Sequence, residues 1–168
     1  WVGQAPGGGN AMKFACPFTR GVQRGSGDRK GSLNLLRAGA IAFDFYVDDP
    51  APIAYCSIYF HSGDGWYGHA FPFKKGWQHV VLSKGSFNIE DKPAGWDQVD
   101  TVRISAWNGK AQDTFCAIAN LEARTEDIAI VRGLGSPSEN RFMGQAAQQV
   151  SGYLTQLDAK KNPLDKRP

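Results

Sequence analysis

The stretch DTVRISAWNG, residues 100–109, places a cation, a hydroxyl and an indole at every second position, as Arg103, Ser105 and Trp107. Successive side chains of a β-strand point to opposite faces, so a strand here presents these three groups together and keeps valine, isoleucine and alanine on its other face. An arginine offers a planar fork of donors and an indole offers a flat apolar surface. A sugar ring has an apolar C–H face and a hydroxyl rim, so the pattern favours recognition of a sugar.

Two other segments alternate in the same way. Residues 53–61 set tyrosines, a serine and a histidine against an apolar face, and residues 40–47 set Asp44 and Tyr46 against Ile, Phe, Phe and Val. With the three strands side by side, the predicted carbohydrate-binding residues share one outer face: Asp44, Tyr46, Tyr55, Tyr59, Arg103 and Trp107. Trp66 and Tyr67 are further candidates for the rim of this site.

The same face has two other interpretations. Tyrosine and tryptophan with polar tips also suit an interface, so the face could pack against a following domain or a protein partner, giving a structural sandwich that binds no glycan. It could also lie beneath a loop of the chain itself. The pattern of residues leaves these alternatives open.

Catalytic chemistry is not favoured. Glycosidases need two carboxyl groups that face each other about 5–10 Å apart, whereas the acidic pairs of this chain fall in predicted turns or at the starts of strands. The three histidines are 8 and 10 residues apart, which matches no helical zinc pair. No G-x-S-x-G motif occurs. We therefore predict a protein that is not an enzyme.

Composition argues against nucleic acid and a membrane as partners. The net charge of +3 in 168 residues is too small to argue for nucleic acid, and no apolar run approaches the roughly 18–20 residues of a membrane span. Three cysteines without a C-x-x-C pair are predicted to be small buried hydrophobes. Twenty glycines and 12% aromatic residues indicate many short strands joined by turns.

The elements that must position these residues are strands without intervening helices, which predicts an all-β antiparallel sandwich of the jelly-roll type. Strands are predicted at 12–18, 40–47, 53–61, 66–73, 77–83, 99–107 and 114–123. The Gly-rich segment 19–36 is predicted to be a link ending in a short apolar stretch, SGDG at 62–65 a turn, and 84–98 a long loop.

The domain organisation follows from the shift in pattern after Ala123. We predict a flexible leader at 1–11, a β-sandwich module at 12–125, and a linker, helix and tail at 126–168. Apolar residues at helical spacing predict a C-terminal helical appendage over 139–161, with Ser138 as its N-cap. This helix could begin a further domain that is cut off at Pro168.

The order of FDFYV, IYFHSGDGWYGHAF, KKGWQHVVLSKGSF and PAGWDQVDTVRISAWNG resembles the jelly-roll carbohydrate-binding modules of the galactose-binding-domain-like superfamily. The most similar version is found near the N-terminus of multidomain bacterial proteins related to glycoside hydrolases, and the resemblance covers about residues 10–125. The chain departs from the pattern at RGSGDR, where Gly27 stands in place of a tryptophan.

The resemblance implies a concave sheet that binds a poly- or oligosaccharide without catalysis, through Tyr46, Tyr55, Tyr59, Arg103, Trp107 and Asp44. It requires no cofactor, although many such modules hold a structural calcium ion (Ca2+) between the first and last strands. Asp28 and Glu122 are the candidate ligands here. It further implies a covalently linked enzyme domain and an extracellular or periplasmic location in a bacterium.

Overall fold

The computed structural model describes residues 5–125, which form two antiparallel four-stranded sheets. The strands are β1 Met12–Cys16, β2 Arg24–Leu33, β3 Ala40–Val47, β4 Ile53–Phe71, β5 Gly76–Ser83, β6 Asn88–Pro93, β7 Val99–Asn108 and β8 Thr114–Arg124. The first sheet has the order β1-β8-β3-β5 and the second has the order β2-β7-β4-β6. The predicted β-sandwich is confirmed.

The core lies between the inward faces of the two sheets. All but one of the residues predicted to face inward from 40–47, 53–60 and 102–106 are buried. The exception is Ala54, which is exposed at an irregularity in the pairing of β4 with β7. Phe71 packs edge-on against both Phe43 and Phe45, with ring centroids 5.1 Å apart in each case. All three cysteines are free and buried, as predicted.

Three predictions of local structure were wrong. Residues 24–33, expected within a link, form an edge strand, and residues 88–93, expected within a loop, form another. The SGDG segment does not turn, because β4 runs through it without a break. In each case glycines or charged residues replace the apolar half of the alternation, so the segment lacks the usual pattern of a half-buried strand.

Strand β4 bends and changes its partner at Ser62 and Gly63. It pairs with β7 up to Ser62 and with β6 from Gly63 onward. Gly63 has a φ of +59°, and the buried Ser62 Oγ donates to the Gly95 carbonyl at 2.7 Å and accepts from the Gly95 N–H at 3.1 Å. These two hydrogen bonds attach β4 to the loop before β7 at the point where the strand changes partner, so that β4 pairs with both β7 and β6 in the second sheet.

The predictions for residues 126–168, including the helix at 139–161, lie outside the described residues, as do residues 1–4 of the predicted leader. Ahead of β1, Pro6–Gly8 form a 3-10 turn, Ala5 is buried, and Asn120 Nδ2 donates to the Pro6 carbonyl at 2.7 Å. Within residues 5–125, no helix has the length and apolar character needed to cross a membrane.

The two sheets approach closely where β1 crosses β2, and glycine makes this approach sterically feasible. A Cβ on Gly25 would lie 2.5 Å from Cys16 Sγ and 2.7 Å from the Ala15 carbonyl oxygen. We expect Gly25→Ala to lower the free energy of unfolding by about 1–3 kcal/mol, because a backbone oxygen cannot move aside cheaply. Urea denaturation followed by circular dichroism measures this loss.

Gly85→Ala is the matched control for this substitution. A Cβ on Gly85 meets nothing closer than Ser83 Oγ, at 3.9 Å. Its cost should stay within about 0.5 kcal/mol. Equal losses in the two variants would mean that glycine is not required by the contact between the sheets.

Candidate functional site

The candidate site is a cavity of about 290 Å3 on the outer face of the second sheet, here called the groove. It is lined by Arg24, Tyr55, Tyr59, Trp66, Glu90, Arg103 and Trp107, which come from all four strands of that sheet. Ligand pockets combine an apolar surface with a few polar groups that fix orientation, and this lining offers four aromatic rings and three charged groups.

Two smaller cavities, of about 140 Å3 each, open between the sheets. Their walls are mainly apolar side chains of the core and its edge, such as Ile104 and Ile118 in one and Leu33 and Phe60 in the other. Such walls carry few groups that could orient a polar ligand. The groove is therefore the better candidate.

Strand register arranges the outward side chains of the second sheet in rows across the strands. Read from β2 through β7 to β4, the rows are Arg24–Trp107–Tyr55, Ser26–Ser105–Ser57 and Asp28–Arg103–Tyr59. The first and third rows are four residues apart on each strand, which is about 13 Å at a rise of about 3.3 Å per residue. We call the first row the Trp107 wall and the third row, together with Trp66, the Arg103 wall.

The serine row lies between the walls. Ser57 and Ser105 are buried although they are on the outer face, because the larger side chains of the neighbouring rows cover them. Ser57 Oγ accepts from Trp107 Nε1 at 3.0 Å, whereas Ser105 Oγ has no partner among the described residues. The hydrogen bond to Ser57 fixes the orientation of the indole.

The Trp107 wall combines two stacked rings with a guanidinium. The rings of Tyr55 and Trp107 lie 5.2 Å apart and 16° from parallel. The Arg24 guanidinium lies 5.1 Å from the centre of the Trp107 ring, within reach of a cation–π interaction. Partial desolvation raises the pKa of Tyr55, so its phenol stays protonated at neutral pH and can donate a hydrogen bond.

The Arg103 wall is held by a bidentate ion pair. Arg103 Nε and Nη2 donate to the two carboxylate oxygens of Asp28 at 2.8 and 2.7 Å. These hydrogen bonds lower the pKa of Asp28 and raise the pKa of Arg103, so both groups are charged at neutral pH. The guanidinium also lies 5.0 Å from the centre of the Trp66 ring, which it helps to hold in place.

Trp66 and Glu90 reach the groove through the bend in β4. The half of β4 that follows Gly63 pairs with β6, and this pairing sets Trp66 opposite Glu90. Trp66 meets the Tyr59 ring edge-on at 6.2 Å. It also contacts the ring of His61 at 4.6 Å, and His61 Nδ1 lies 2.8 Å from Asp100 Oδ1.

Several polar groups of the groove have no partner within residues 5–125. The Arg24 guanidinium, the Glu90 carboxylate and the phenols of Tyr55 and Tyr59 take part in no side-chain hydrogen bond or ion pair there. They supply both donors and acceptors beside flat apolar rings. The groove can therefore contact a sugar ring through aromatic side chains and hydrogen-bond its rim.

Four of the six residues predicted as a site come together in the groove: Tyr55, Tyr59, Arg103 and Trp107. The prediction that Asp44 and Tyr46 share their face was wrong, because β3 pairs with β5 and β8 in the other sheet. Alternation decides which side of a strand a residue occupies, but it does not decide which sheet the strand joins.

Asp44 and Tyr46 have partners of their own on the outer face of the first sheet. Burial raises the pKa of Asp44, but hydrogen bonds from Asn120 at 2.7 Å and His79 at 2.8 Å outweigh it and lower the pKa overall. Tyr46 lies between the rings of Trp77 and Phe115, at 5.4 and 5.8 Å. These contacts give both residues a structural role in the first sheet.

The candidate calcium ligands are also apart. Asp28 is on the outer face of the second sheet and paired with Arg103, whereas Glu122 is on β8 of the first sheet and paired with Arg124 at 2.7 Å. The described part of the chain contains no group of three or more histidine, cysteine or acidic side chains that could hold a metal ion.

Arg24 and Glu90 are the functional candidates that the sequence analysis missed. Arg24 begins the polar alternation Arg24, Ser26, Asp28, Lys30, which marks a strand whose other face carries Gly25 and Gly27. Trp66 lines the groove as expected, but Tyr67 faces inward and stacks on Trp96 at 4.0 Å.

Comparisons with known proteins give structural similarity only. No protein-family model matches the sequence, and no curated protein matches it either. Among solved structures, the chain is similar to the family 11 carbohydrate-binding module of Clostridium thermocellum in complex with a β-1,3-1,4-mixed-linked tetrasaccharide. The TM-score is 0.47 at 10% identity, over 68% of this chain and 82% of that one. It is also similar to an agarase, with a TM-score of 0.41 at 14% identity, over 60% of this chain and 19% of the agarase.

Proposed function

We propose that residues 12–125 form a non-catalytic carbohydrate-binding module that holds a glycan in the groove. The observation that carries this proposal is that two tryptophans, two tyrosines and two arginines from three separate strands, β2, β4 and β7, line one cavity. Aromatic faces stack against the C–H face of a pyranose, and guanidinium and phenol groups bind its hydroxyls. Shallow sites of this kind bind at about mM to µM, or about 4–8 kcal/mol.

Binding without catalysis agrees with the acidic groups at the groove. Within the described residues, Glu90 is the one carboxylate in the lining, and the nearby Asp28 has both oxygens engaged by Arg103. Glycoside hydrolysis needs two facing carboxyl groups, one to donate a proton and one to act as base or nucleophile. An activity lost on replacing a single acidic residue would contradict this part of the proposal.

We also propose that the module directs a covalently attached glycoside-hydrolase-like protein to its glycan, outside the cell or in the periplasm of a bacterium. The resemblance of residues 10–125 to modules of such multidomain proteins supports this role. A module with weak affinity is useful in this arrangement, because tethering raises the effective concentration of the enzyme at the polysaccharide.

Trp107→Ala tests the groove. We expect it to weaken any glycan binding by about tenfold or more, because it removes the central ring of the Trp107 wall and the surface that supports Arg24. The measurement is a glycan array followed by affinity electrophoresis and calorimetry on the glycans that bind.

Tyr46→Ala is the matched control, since Tyr46 is also a half-buried aromatic residue but lies on the first sheet. It should leave the affinity unchanged once both variants are shown to be folded. Loss of binding in the control alone would move the site to the first sheet. No glycan binding, together with self-association in light scattering, would favour the protein-interface alternative.

A further inference from the structure

We propose that the glycan carries an anionic group, a carboxylate or a sulfate, on the sugar ring that lies against the Trp107 wall, and that Arg24 binds this group. The inference rests on the proposed function, because it names the class of glycan that the same groove takes. Three features support it: the charged groups that line the groove, the position of Arg24 over Trp107, and the placement of Arg24 and Glu90 on the two edge strands of the second sheet.

The two arginines of the groove differ in what balances their charge. Arg103 is neutralised by two hydrogen bonds from its guanidinium to Asp28. Arg24 forms no ion pair with any residue of 5–125, although it lines the same cavity. Arg103 thus has its counter-ion built into the wall, whereas Arg24 has no carboxylate of the described residues within ion-pair distance and is free to bind an anionic group of a ligand.

The geometry of Arg24 suits an acidic group of a bound sugar. Its guanidinium lies over the Trp107 ring, and the indole is itself fixed by the hydrogen bond to Ser57. The Arg24 guanidinium donates no hydrogen bond within residues 5–125, so its N–H groups are free, and their fork matches two oxygens of a carboxylate or sulfate. Holding the fork on a fixed ring reduces the entropy lost on binding.

The position of Glu90 gives the groove a direction. Arg24 is on β2 and Glu90 is on β6, which are the two edge strands of the four-stranded sheet. An anionic group is attracted to the β2 edge and repelled from the β6 edge. Glu90 can accept hydrogen bonds from sugar hydroxyl groups and repels an anion, so we expect the acidic group beside Arg24 and away from Glu90.

Two matched pairs of oligosaccharides test the inference and separate the two sources of charge. One pair is a xylo-oligosaccharide with and without a glucuronate branch, and the other is a galactan oligosaccharide with and without sulfate. Calorimetry on the full chain should show about tenfold tighter binding of the acidic member of at least one pair. The preference should shrink as the salt concentration rises, because the charged groups are partly exposed.

Arg24→Gln should abolish this preference, so that the two members of the pair bind with equal affinity. Arg29→Gln is the control: Arg29 is on the same strand but borders the cavities between the sheets, and its substitution should preserve the preference. Equal or tighter binding of the neutral members by the unmodified chain would overturn the inference, as would a preference that survives Arg24→Gln.

Failure of the inference can be told apart from failure of the proposed function. If neutral glycans bind and Trp107→Ala weakens them, the proposed function stands and the acidic ligand is wrong. If neither member of either pair binds and a glycan array is also negative, the proposed function fails and the inference fails with it.

Discussion

Arg103→Ala is expected to weaken glycan binding by about a hundredfold, or about 3 kcal/mol. Arg103 binds Asp28 through two nitrogens, lies against the Trp66 ring, and keeps Nη1 free for the ligand. Its removal takes away a charged donor, leaves the Asp28 carboxylate without its partner, and frees Trp66 to leave the Arg103 wall. Calorimetry with the glycan identified on the array measures the loss.

Asp28→Asn separates the charge of Arg103 from its orientation. Asp28 is a positioning residue, because it acts on the ligand through Arg103, so its substitution should cost about tenfold in affinity while Arg103 remains. Arg124→Ala is the control for Arg103→Ala, since it removes an arginine that is paired with Glu122 on the first sheet. A loss of affinity in the control equal to that of Arg103→Ala would place the effect in overall stability.

The same pair predicts a dependence of the proposed binding on pH. Because Arg103 holds the pKa of Asp28 below its ordinary value, Asp28 stays charged throughout the range above that ordinary value. Its contribution to the groove and to folding is present in that range and is lost as the pH falls through the lowered pKa. The part of any acid loss of affinity that is due to Asp28 should therefore begin only below the ordinary pKa of an aspartate, and it should be missing in Asp28→Asn.

The alternation of side chains could be predicted from the sequence because it is a local property. Ile104 and Trp107 are on opposite sides of β7 wherever that strand lies, so the buried and outward sets were correct for most positions. The same holds for Ile58 and Tyr59 on β4. Alternation alone is enough to place four residues of the groove on outward faces: Tyr55, Tyr59, Arg103 and Trp107.

The membership of each sheet could not be predicted in the same way. Whether β3 pairs with β4 and β7 or with β5 and β8 depends on contacts between residues far apart in the chain, and the outward faces of both sheets carry tyrosines and acidic groups. Asp44 and Tyr46 fit the pattern of a site as well as Tyr55 and Tyr59 do. The two pairs of residues differ in the partners of their strands, and the alternation of side chains does not specify those partners.

The rest of the groove could not be predicted, because glycines interrupt the alternation in the strands that carry it. Gly25 and Gly27 occupy the inward positions of β2 because β1 lies against them, so the strand that carries Arg24 has no apolar half. Gly63 and Gly65 in SGDG similarly conceal the continuation of β4 that carries Trp66. Glycine is typical of turns, and here it instead permits close approach and a bend within a strand.

Gly63→Val is expected to lower the free energy of unfolding by about 2–5 kcal/mol. Gly63 has a φ of +59°, a conformation that costs a β-branched residue about 1–2 kcal/mol or more. A Cβ there would also lie 2.8 Å from the Ala94 Cβ and 3.2 Å from the Ala94 N, and such overpacking costs about 1–3 kcal/mol. Urea denaturation measures the loss, with Gly85→Val as the control because it has no positive φ and open space around it.

The consequence of Gly63→Val for binding follows from the position of the bend. Gly63 is the residue at which β4 leaves β7 for β6, and Trp66 reaches the Arg103 wall only through this change of partner. Relief of the strain must move the segment after Ser62, so affinity for the glycan should fall further than the folded fraction does. If the variant is destabilised but its folded fraction keeps full affinity, the bend serves stability alone, and Trp66 does not depend on it to reach the groove.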